Sequence, residues 1–207
     1  MSQFAAVVLA GGAGRRMGGR LKPAVPVHGR AMVDRVLAAV PSAAPRVVVG
    51  PRELLPYLPP GVVLTQESPA GGGPVAAIGA GVATLTGLGD EHDRDAWVAI
   101  VAGDLPFLTA GTVELLRRTA VAGQGGGAVL VDPTRRIQWL CGVWPLTPVR
   151  HQLLRLGTLA GRATRELLGD LGPSQVAIGT PGPPPWFDCD TEDDLRRAEE
   201  WSHGDAG

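Results

Sequence analysis

The stretch Val7-Val-Leu-Ala-Gly-Gly-Ala-Gly-Arg-Arg-Met-Gly-Gly-Arg-Leu-Lys22 joins a continuous apolar run to a loop of glycine and basic residues. Phe4 to Leu9 carries no polar side chain, the pattern of a strand buried on both faces. Beyond it Gly11, Gly12, Gly14, Gly18 and Gly19 are interleaved with Arg15, Arg16 and Lys22. Glycines let backbone N–H groups approach an anion closely, and the basic side chains add charge-assisted hydrogen bonds to phosphate oxygens. The pattern points to a nucleotide-phosphate site. The bland alternative is an ordinary glycine-rich loop, and the basic side chains argue against it.

Two familiar phosphate loops are excluded. A Walker A loop requires G-x-x-x-x-G-K followed by Ser or Thr, whereas Lys22 is followed by Pro23. A dinucleotide fingerprint requires G-x-G-x-x-G opening a helix at once. Here Gly12-Ala-Gly-Arg-Arg-Met17 lacks the closing glycine, and Pro23 and Pro26 break any helix directly after the loop.

The 207 residues fit one domain with a sizeable core. Gly (30) and Pro (19) are abundant, but a hydrophobic fraction of 44% argues for a folded chain. A formal charge of −1 without a basic tract speaks against a nucleic-acid binder. No apolar run of about 20 residues spans a membrane, and no export signal is recognised. Cys141 and Cys189 are too few for a disulfide scaffold or zinc knuckle and read as reduced core thiols of a cytoplasmic protein. None of His28, His92, His151 or His203 has ligand or triad spacing, and no G-x-S-x-G elbow occurs.

Strand-like and helix-like segments alternate. Strands are expected at 4–9, 46–50, 62–65, 97–102, 128–131 and 139–143. Helices are expected at 31–40, 74–86, 112–122, 148–155, 162–168 and 191–201. The alternation predicts a three-layer α/β fold: an open, mostly parallel Rossmann-like sheet with helices on both faces and ligands at the strands' carboxyl ends. Residues 87–95 and 123–127 read as surface loops, and 179–185 as a stiff connector to a last strand and helix. The tail 203–207 is expected to fray.

Further constellations carry chemistry. Trp97-Val-Ala-Ile-Val-Ala-Gly-Asp104-Leu-Pro-Phe107 is a buried strand ending in a carboxylate. With phosphates close by, Asp104 suits Mg²⁺, which takes one or two carboxylates plus phosphate oxygens; an Asp initiating a turn before Pro is the other reading. In Asp188-Cys-Asp190-Thr-Glu-Asp-Asp-Leu195, Thr191 reads as a helix N-cap with Asp194 closing a capping box. Asp188 and Asp190 precede the cap and, along a short strand, would point alike. Thr65-Gln-Glu67-Ser-Pro-Ala-Gly-Gly72-Gly73-Pro74 is a glycine run closed by Pro at a helix start. Trp139 and Trp144 read as core. Arg162 and Arg165 share a helix face and read equally as an anion site or a solvated basic face.

The opening resembles the nucleotidyltransferases of the molybdenum cofactor guanylyltransferase family, with hallmark L-A-G-G-x-x-x-R-M-G-x-x-K. Leu9, Ala10, Gly11, Gly12, Arg16, Met17 and Gly18 match, with Lys22 one residue later. Asp104-Leu-Pro-Phe107 matches the family's D-x-P turn, and Gly73-Pro74-Val75 its G-P-L segment, with Ala77 at the usual glycine. Where the family has F-x-N-x-N-T-P-E-D-L, both asparagines are aspartates, Asp188 and Asp190, and the proline is Glu192. The resemblance covers nearly the whole chain.

It implies a nucleotidyltransferase domain over 1–207, with an NTP-binding half over about 1–110 and an acceptor half over about 111–207. GMP would pass from GTP to the terminal phosphate of a phosphorylated pterin, molybdopterin, releasing pyrophosphate. Lys22, Arg16 and Asp104 would be catalytic. Leu9, Ala10, Gly11, Gly12, Ala13, Gly14, Arg16, Lys22, Glu67, Gly72, Gly73 and Asp104 would hold the nucleotide. Asp104, Asp190 and, more weakly, Asp188 would hold Mg²⁺. Transient contact with cofactor-biosynthesis or molybdoenzyme proteins is also implied. The alternatives are a cytidylyltransferase acting on a pterin or isoprenoid precursor, or a silent nucleotide- or cofactor-binding module.

Overall fold

A computed structural model describes residues 3–11, 13–14, 20–88, 96–123, 125–179 and 182–201. Arg16, Gly12, and parts of the loops expected at 87–95 and 123–127 therefore lie outside the described residues, as does the tail 203–207.

The apolar run expected to be a strand is β1 (Phe4–Leu9), and it pairs on both sides with parallel neighbours. These are β6 (Arg46–Val49) and β8 (Trp97–Ala102), also apolar, so the three form the centre of a seven-stranded sheet. β7 (Val62–Thr65) flanks β6 at one edge. On the other side follow β10 (Ile137–Pro145), β9 (Ala128–Val131) and edge strand β11 (Ser174–Ala177), giving the order β11-β9-β10-β8-β1-β6-β7. β10 is antiparallel to β8 and β9; the other pairings are parallel. The mostly parallel sheet is thus as expected, whereas the reversed strand has no signature in a run buried on both faces.

Alternate residues of β1 feed two cores, which is why the run has no polar position. Phe4, Ala6 and Val8 pack with Val33, Val36 and Leu37 of α1 (Met32–Ala38) and with Val113, Leu116 and Ala120 of α3 (Ala110–Ala122). Ala5 and Val7 pack on the opposite face with Val75, Ile78 and Val82 of α2 (Pro74–Ala83). Val149 of α4 (Leu146–Leu156) and Leu167 and Leu168 of α5 (Thr164–Leu168) complete that layer. Val7 and Val8 are fully buried; each such side chain contributes about 1.5–3 kcal/mol relative to exposure. Trp144, also fully buried, stacks on Trp139 with ring centroids 6.3 Å apart, so both belong to the apolar layer as expected.

The sequence expectations need correction at several boundaries. The segment expected to start a helix at 31 begins with the hairpin β4 (Pro26–Val27) and β5 (Arg30–Ala31), so α1 is shorter than 31–40. The expected 148–155 helix is extended at both ends as α4, and the expected 162–168 helix contracts to α5. The last strand, β11, precedes the connector instead of following it, and 188–190 forms no strand. α6 (Glu192–Glu200) follows directly. Among the described residues no helix is long and apolar enough to cross a membrane.

Gly81 measures how tightly α2 packs on the sheet. A Cβ there would meet Val7 Cγ1 and lie 2.9 Å from Val49 Cγ2. Helix propensity favours alanine over glycine by about 1 kcal/mol, but overpacking costs about 1–3 kcal/mol. Gly81→Ala is therefore expected to lower the urea midpoint despite its better propensity; an unchanged or raised midpoint would refute this packing argument.

Candidate active site

The carboxyl ends of β1 and β8 leave the sheet side by side, with Leu9 in register with Ala102. Gly103 N–H donates to Leu9 O at 2.8 Å. A Cβ on Gly103 would lie 3.0 Å from Leu9 O and 3.1 Å from Ala10 Cβ, so this close approach favours glycine. Gly11 and Asp104 consequently emerge from adjacent strands. Ala10 is buried and tied to β6 by its N–H donating to Val49 O at 2.7 Å, leaving Gly11 exposed at the rim. Past it, Ala13–Gly14 (β2) and Arg20–Leu21 (β3) pair as a short antiparallel ribbon that brings the chain back to Lys22.

Lys22 opens a 3₁₀ turn, Lys22–Ala24, in which Pro23 fixes the backbone and Val25 N–H donates back to Lys22 O at 3.0 Å. The residue is only 7% exposed. Its ammonium donates to both Asp104 Oδ2 and Asp190 Oδ1, joining residues 82 and 168 positions apart. Burial alone would lower the pKa of this ammonium, but Asp104 and Asp190 together outweigh that effect and raise it. Lys22 therefore stays protonated throughout the neutral range.

The segment carrying Asp190 is held against the Asp104 turn by backbone and aromatic contacts. Cys189 N–H donates to Asp104 O at 3.4 Å. Phe107, Phe187 and Trp201 pack together with centroid separations of 6.0, 5.3 and 4.8 Å, and the Arg197 guanidinium lies 5.3 Å from the Trp201 ring. Sequence reasoning missed this clamp. Its available signal was that two of only three phenylalanines, Phe107 and Phe187, sit beside the motif carboxylates. Thr191 caps α6 as expected: Asp194 N–H donates to Thr191 Oγ1 at 3.1 Å, and Thr191 N–H donates to Asp194 Oδ2 at 2.9 Å. The Cys189 thiol is pushed up to about 12 by burial and then by Asp104, so it is protonated at neutral pH. Cys141 is likewise a buried core thiol.

Asp188 stands at the exposed rim of the same cluster. Partial burial, then Asp190 and Asp104, push its carboxyl pKa up. A raised folded-state pKa destabilises the fold above that pKa, and the penalty vanishes below the unfolded aspartate pKa. Asp188→Asn is therefore expected to raise Tm slightly at pH 8, with the gain fading toward pH 4; solvent screening keeps it small. A gain that grew on acidification would contradict the assigned cause.

Three aspartates against one lysine leave surplus negative charge, and hard oxygen donors are the set a divalent ion such as Mg²⁺ prefers. Among the described residues, no three His, Cys, Asp or Glu side chains are grouped closely enough to hold a metal by themselves. Asp104 and Asp190 offer carboxylate oxygens of the kind Mg²⁺ takes one or two of alongside other oxygen ligands.

Glu67 lies behind Gly11 and is 8% exposed. Its Oε1 accepts from Gly71 N–H at 2.9 Å, and its Oε2 has no hydrogen-bond partner among the described residues. A Cβ on Gly11 would sit within 3.9 Å of both oxygens, so the carboxylate borders the opening loop. Gly72 O accepts from Gly161 N–H at 2.9 Å, and Gly73 caps α2 with Pro74 in its first turn. Leu9, Gly11, Lys22 and Asp104 thus gather at one strand end with Asp190 and Asp188, while Glu67 borders Gly11 from the next loop. Arg162 donates to Glu166 Oε2 at 2.9 Å and to Thr158 O at 3.3 Å, so its hydrogen bonds serve its own helix entry.

A family model described as the MobA-like NTP transferase domain matches residues 6–175. A molybdenum cofactor guanylyltransferase of Rhodobacter capsulatus is 30% identical over 205 residues, 96% of this chain and 96% of that protein. A molybdopterin-guanine dinucleotide biosynthesis protein A from Archaeoglobus fulgidus has a similar structure, with a TM-score of 0.68 and 22% identity. The alignment covers 95% of this chain and 97% of that one. A 2-C-methyl-D-erythritol 4-phosphate cytidylyltransferase from Thermus thermophilus gives 0.63 at 21% identity, covering 95% and 97%. The two structural likenesses establish the fold.

Proposed function

Because this chain belongs to the MobA-like NTP transferase domain family and is a nucleotidyltransferase, we propose that it transfers GMP from GTP to the terminal phosphate of molybdopterin. The relative from Rhodobacter capsulatus supports guanine and this acceptor. The observation that carries the chemical reading is the buried Lys22 ammonium, held by Asp104 and Asp190 beside the Gly11 loop.

An acceptor phosphate oxygen attacks the α-phosphorus of GTP. A new P–O bond forms, the bond to the β-phosphate oxygen breaks, and pyrophosphate leaves with the electron pair. A phosphate oxygen is already nucleophilic near neutral pH, so catalysis comes from alignment and charge stabilisation. Lys22 and Arg16 neutralise charge on the α-phosphate and leaving group, and the backbone of Gly11 to Gly14 cradles the triphosphate. Asp104 and Asp190, with Asp188 at the rim, are the residues that would hold Mg²⁺. When bound, that ion supplies charge neutralisation on the phosphate oxygens.

Glu67 presents its second oxygen to the N–H groups of the base or to ribose hydroxyls, with Gly72 and Gly73 beside it. The strand ends within about 1–110 bind nucleotide, and about 111–207 contributes the acceptor side.

Pyrophosphate release with Mg²⁺ and molybdopterin, compared across GTP, CTP, ATP and UTP, tests this reading. Release with GTP alone is expected, and Glu67→Gln should narrow the preference for GTP. Release with CTP would move the protein to cytidylyl transfer. Tight GTP binding without release, with any nucleotide, would favour a silent binding module.

A further inference from the structure

We propose that Lys22 is a placeholder cation: its ammonium holds Asp104 and Asp190 until a nucleoside triphosphate draws it away, so that metal and nucleotide enter the site together. This inference rests on the reading that the site takes a metal–nucleotide pair, and it adds the order in which the pair is accepted.

The ammonium engages Asp104 Oδ2 and Asp190 Oδ1, oxygens contributed by the turn after β8 and by the segment before α6. A divalent ion bound about 2.0–2.1 Å from those same oxygens would put two like charges on one pair of atoms. The side chain of Lys22 is 9% exposed, so water cannot readily compensate the ammonium if it is displaced. Displacing it therefore requires another anion within reach of the Lys22 stem. The neighbouring Gly11 strand end is where a triphosphate would supply one, since Leu9 and Ala102 are adjacent in the sheet. A metal arriving alone must compete with the lysine for both aspartates, whereas one arriving with phosphates finds the lysine given a new partner. The two ligands should then bind cooperatively, and by reciprocity each should strengthen the other by the same factor.

Mn²⁺ affinity, measured by titration calorimetry and by the EPR signal of the free ion, tests this without turnover. Lys22→Met keeps the apolar stem and removes the charge. In the absence of nucleotide, this variant is expected to bind Mn²⁺ about tenfold more tightly than the unaltered protein, within the usual span of coupling between sites. GTP without acceptor should strengthen Mn²⁺ binding to both proteins through its phosphate oxygens, and by a larger factor in the unaltered protein, where it also draws the ammonium off the aspartates. Equal affinities in the two proteins without nucleotide would overturn the proposal.

A second measurement needs no variant. The ¹⁵N-edited ammonium resonance of Lys22 should hold its position when millimolar Mg²⁺ is added alone and move when GTP follows. A full shift with Mg²⁺ alone would also overturn the proposal. GMP transfer is assayed separately. Its absence would remove the functional reading and leave the exchange standing, whereas equal Mn²⁺ affinities would do the reverse.

Discussion

Asp104→Asn is expected to lower pyrophosphate release between a hundredfold and a thousandfold, the loss typical of removing one preorganised group that stabilises transition-state charge. The substitution is nearly isosteric, so the turn should persist: Cys189 N–H donates to the Asp104 backbone oxygen, and Gly103 N–H to Leu9 O. What disappears is one negative charge among the groups facing Lys22. Asp190 retains its contact to the ammonium, but its side chain is 53% exposed and a weaker electrostatic anchor than Asp104, at 20%. The variant should therefore fold normally, bind Mn²⁺ less tightly in the presence of GTP, and fail mainly in kcat. Steady-state kinetics with circular dichroism checks this. Turnover within a few-fold of the unaltered protein would show that Asp104 is an ordinary turn residue, the alternative its position before Leu105-Pro106 always allowed.

The legible parts of this chain were those with one strong local signal. β1, β8 and β9 have the bounds their apolar runs predict, because an uninterrupted buried run leaves no competing register; β7 also keeps its expected bounds, although it is a partly exposed edge strand. The Thr191 cap was legible because the capping box is complete within four residues. β11 was not, since Ser174-Gln-Val-Ala177 is a partly exposed edge segment with a weak apolar run. The hairpin of β4 and β5 was missed because its turn rests on His28, whose positive φ of 49° few residues other than glycine adopt, followed by Gly29 at 75°. Asp188 and Asp190 are expected on one face of a strand, yet a loop clamped by Phe107, Phe187 and Trp201 brings Asp190 onto the Lys22 ammonium and Asp188 within the electrostatic reach of Asp190 and Asp104. The carboxylates could be picked out individually from local motifs, but their convergence on Lys22 is a product of sheet order. The adjacency of β1 and β8, together with the packing of Val25 and Val27 in one cluster with Cys189 and Phe107, brings residues 22 and 104 together.

Lys22→Ala should separate binding from chemistry. Removing the ammonium is expected to reduce kcat about a hundredfold or more, while KM for GTP changes less than about tenfold. On the proposed reading, the glycine backbone cradles the triphosphate and Glu67 meets the nucleoside without the lysine. A charge that matters most as the bond to pyrophosphate breaks lowers kcat and kcat/KM together, whereas a uniform binding contact would mainly raise KM. The same substitution frees Asp104 and Asp190 of their present partner, so Mn²⁺ binding without nucleotide should tighten while turnover falls. These opposite movements distinguish the lysine from an ion pair that serves the fold alone, whose loss would weaken both. Thermal unfolding near pH 7 supplies the remaining control. The raised Lys22 pKa means its stabilisation is fully present at that pH and is lost only as pH climbs through the folded-state value. The Tm difference between Lys22→Ala and the unaltered protein should accordingly shrink in strongly alkaline solution, and a difference that widened there would refute the ion-pair origin of the effect.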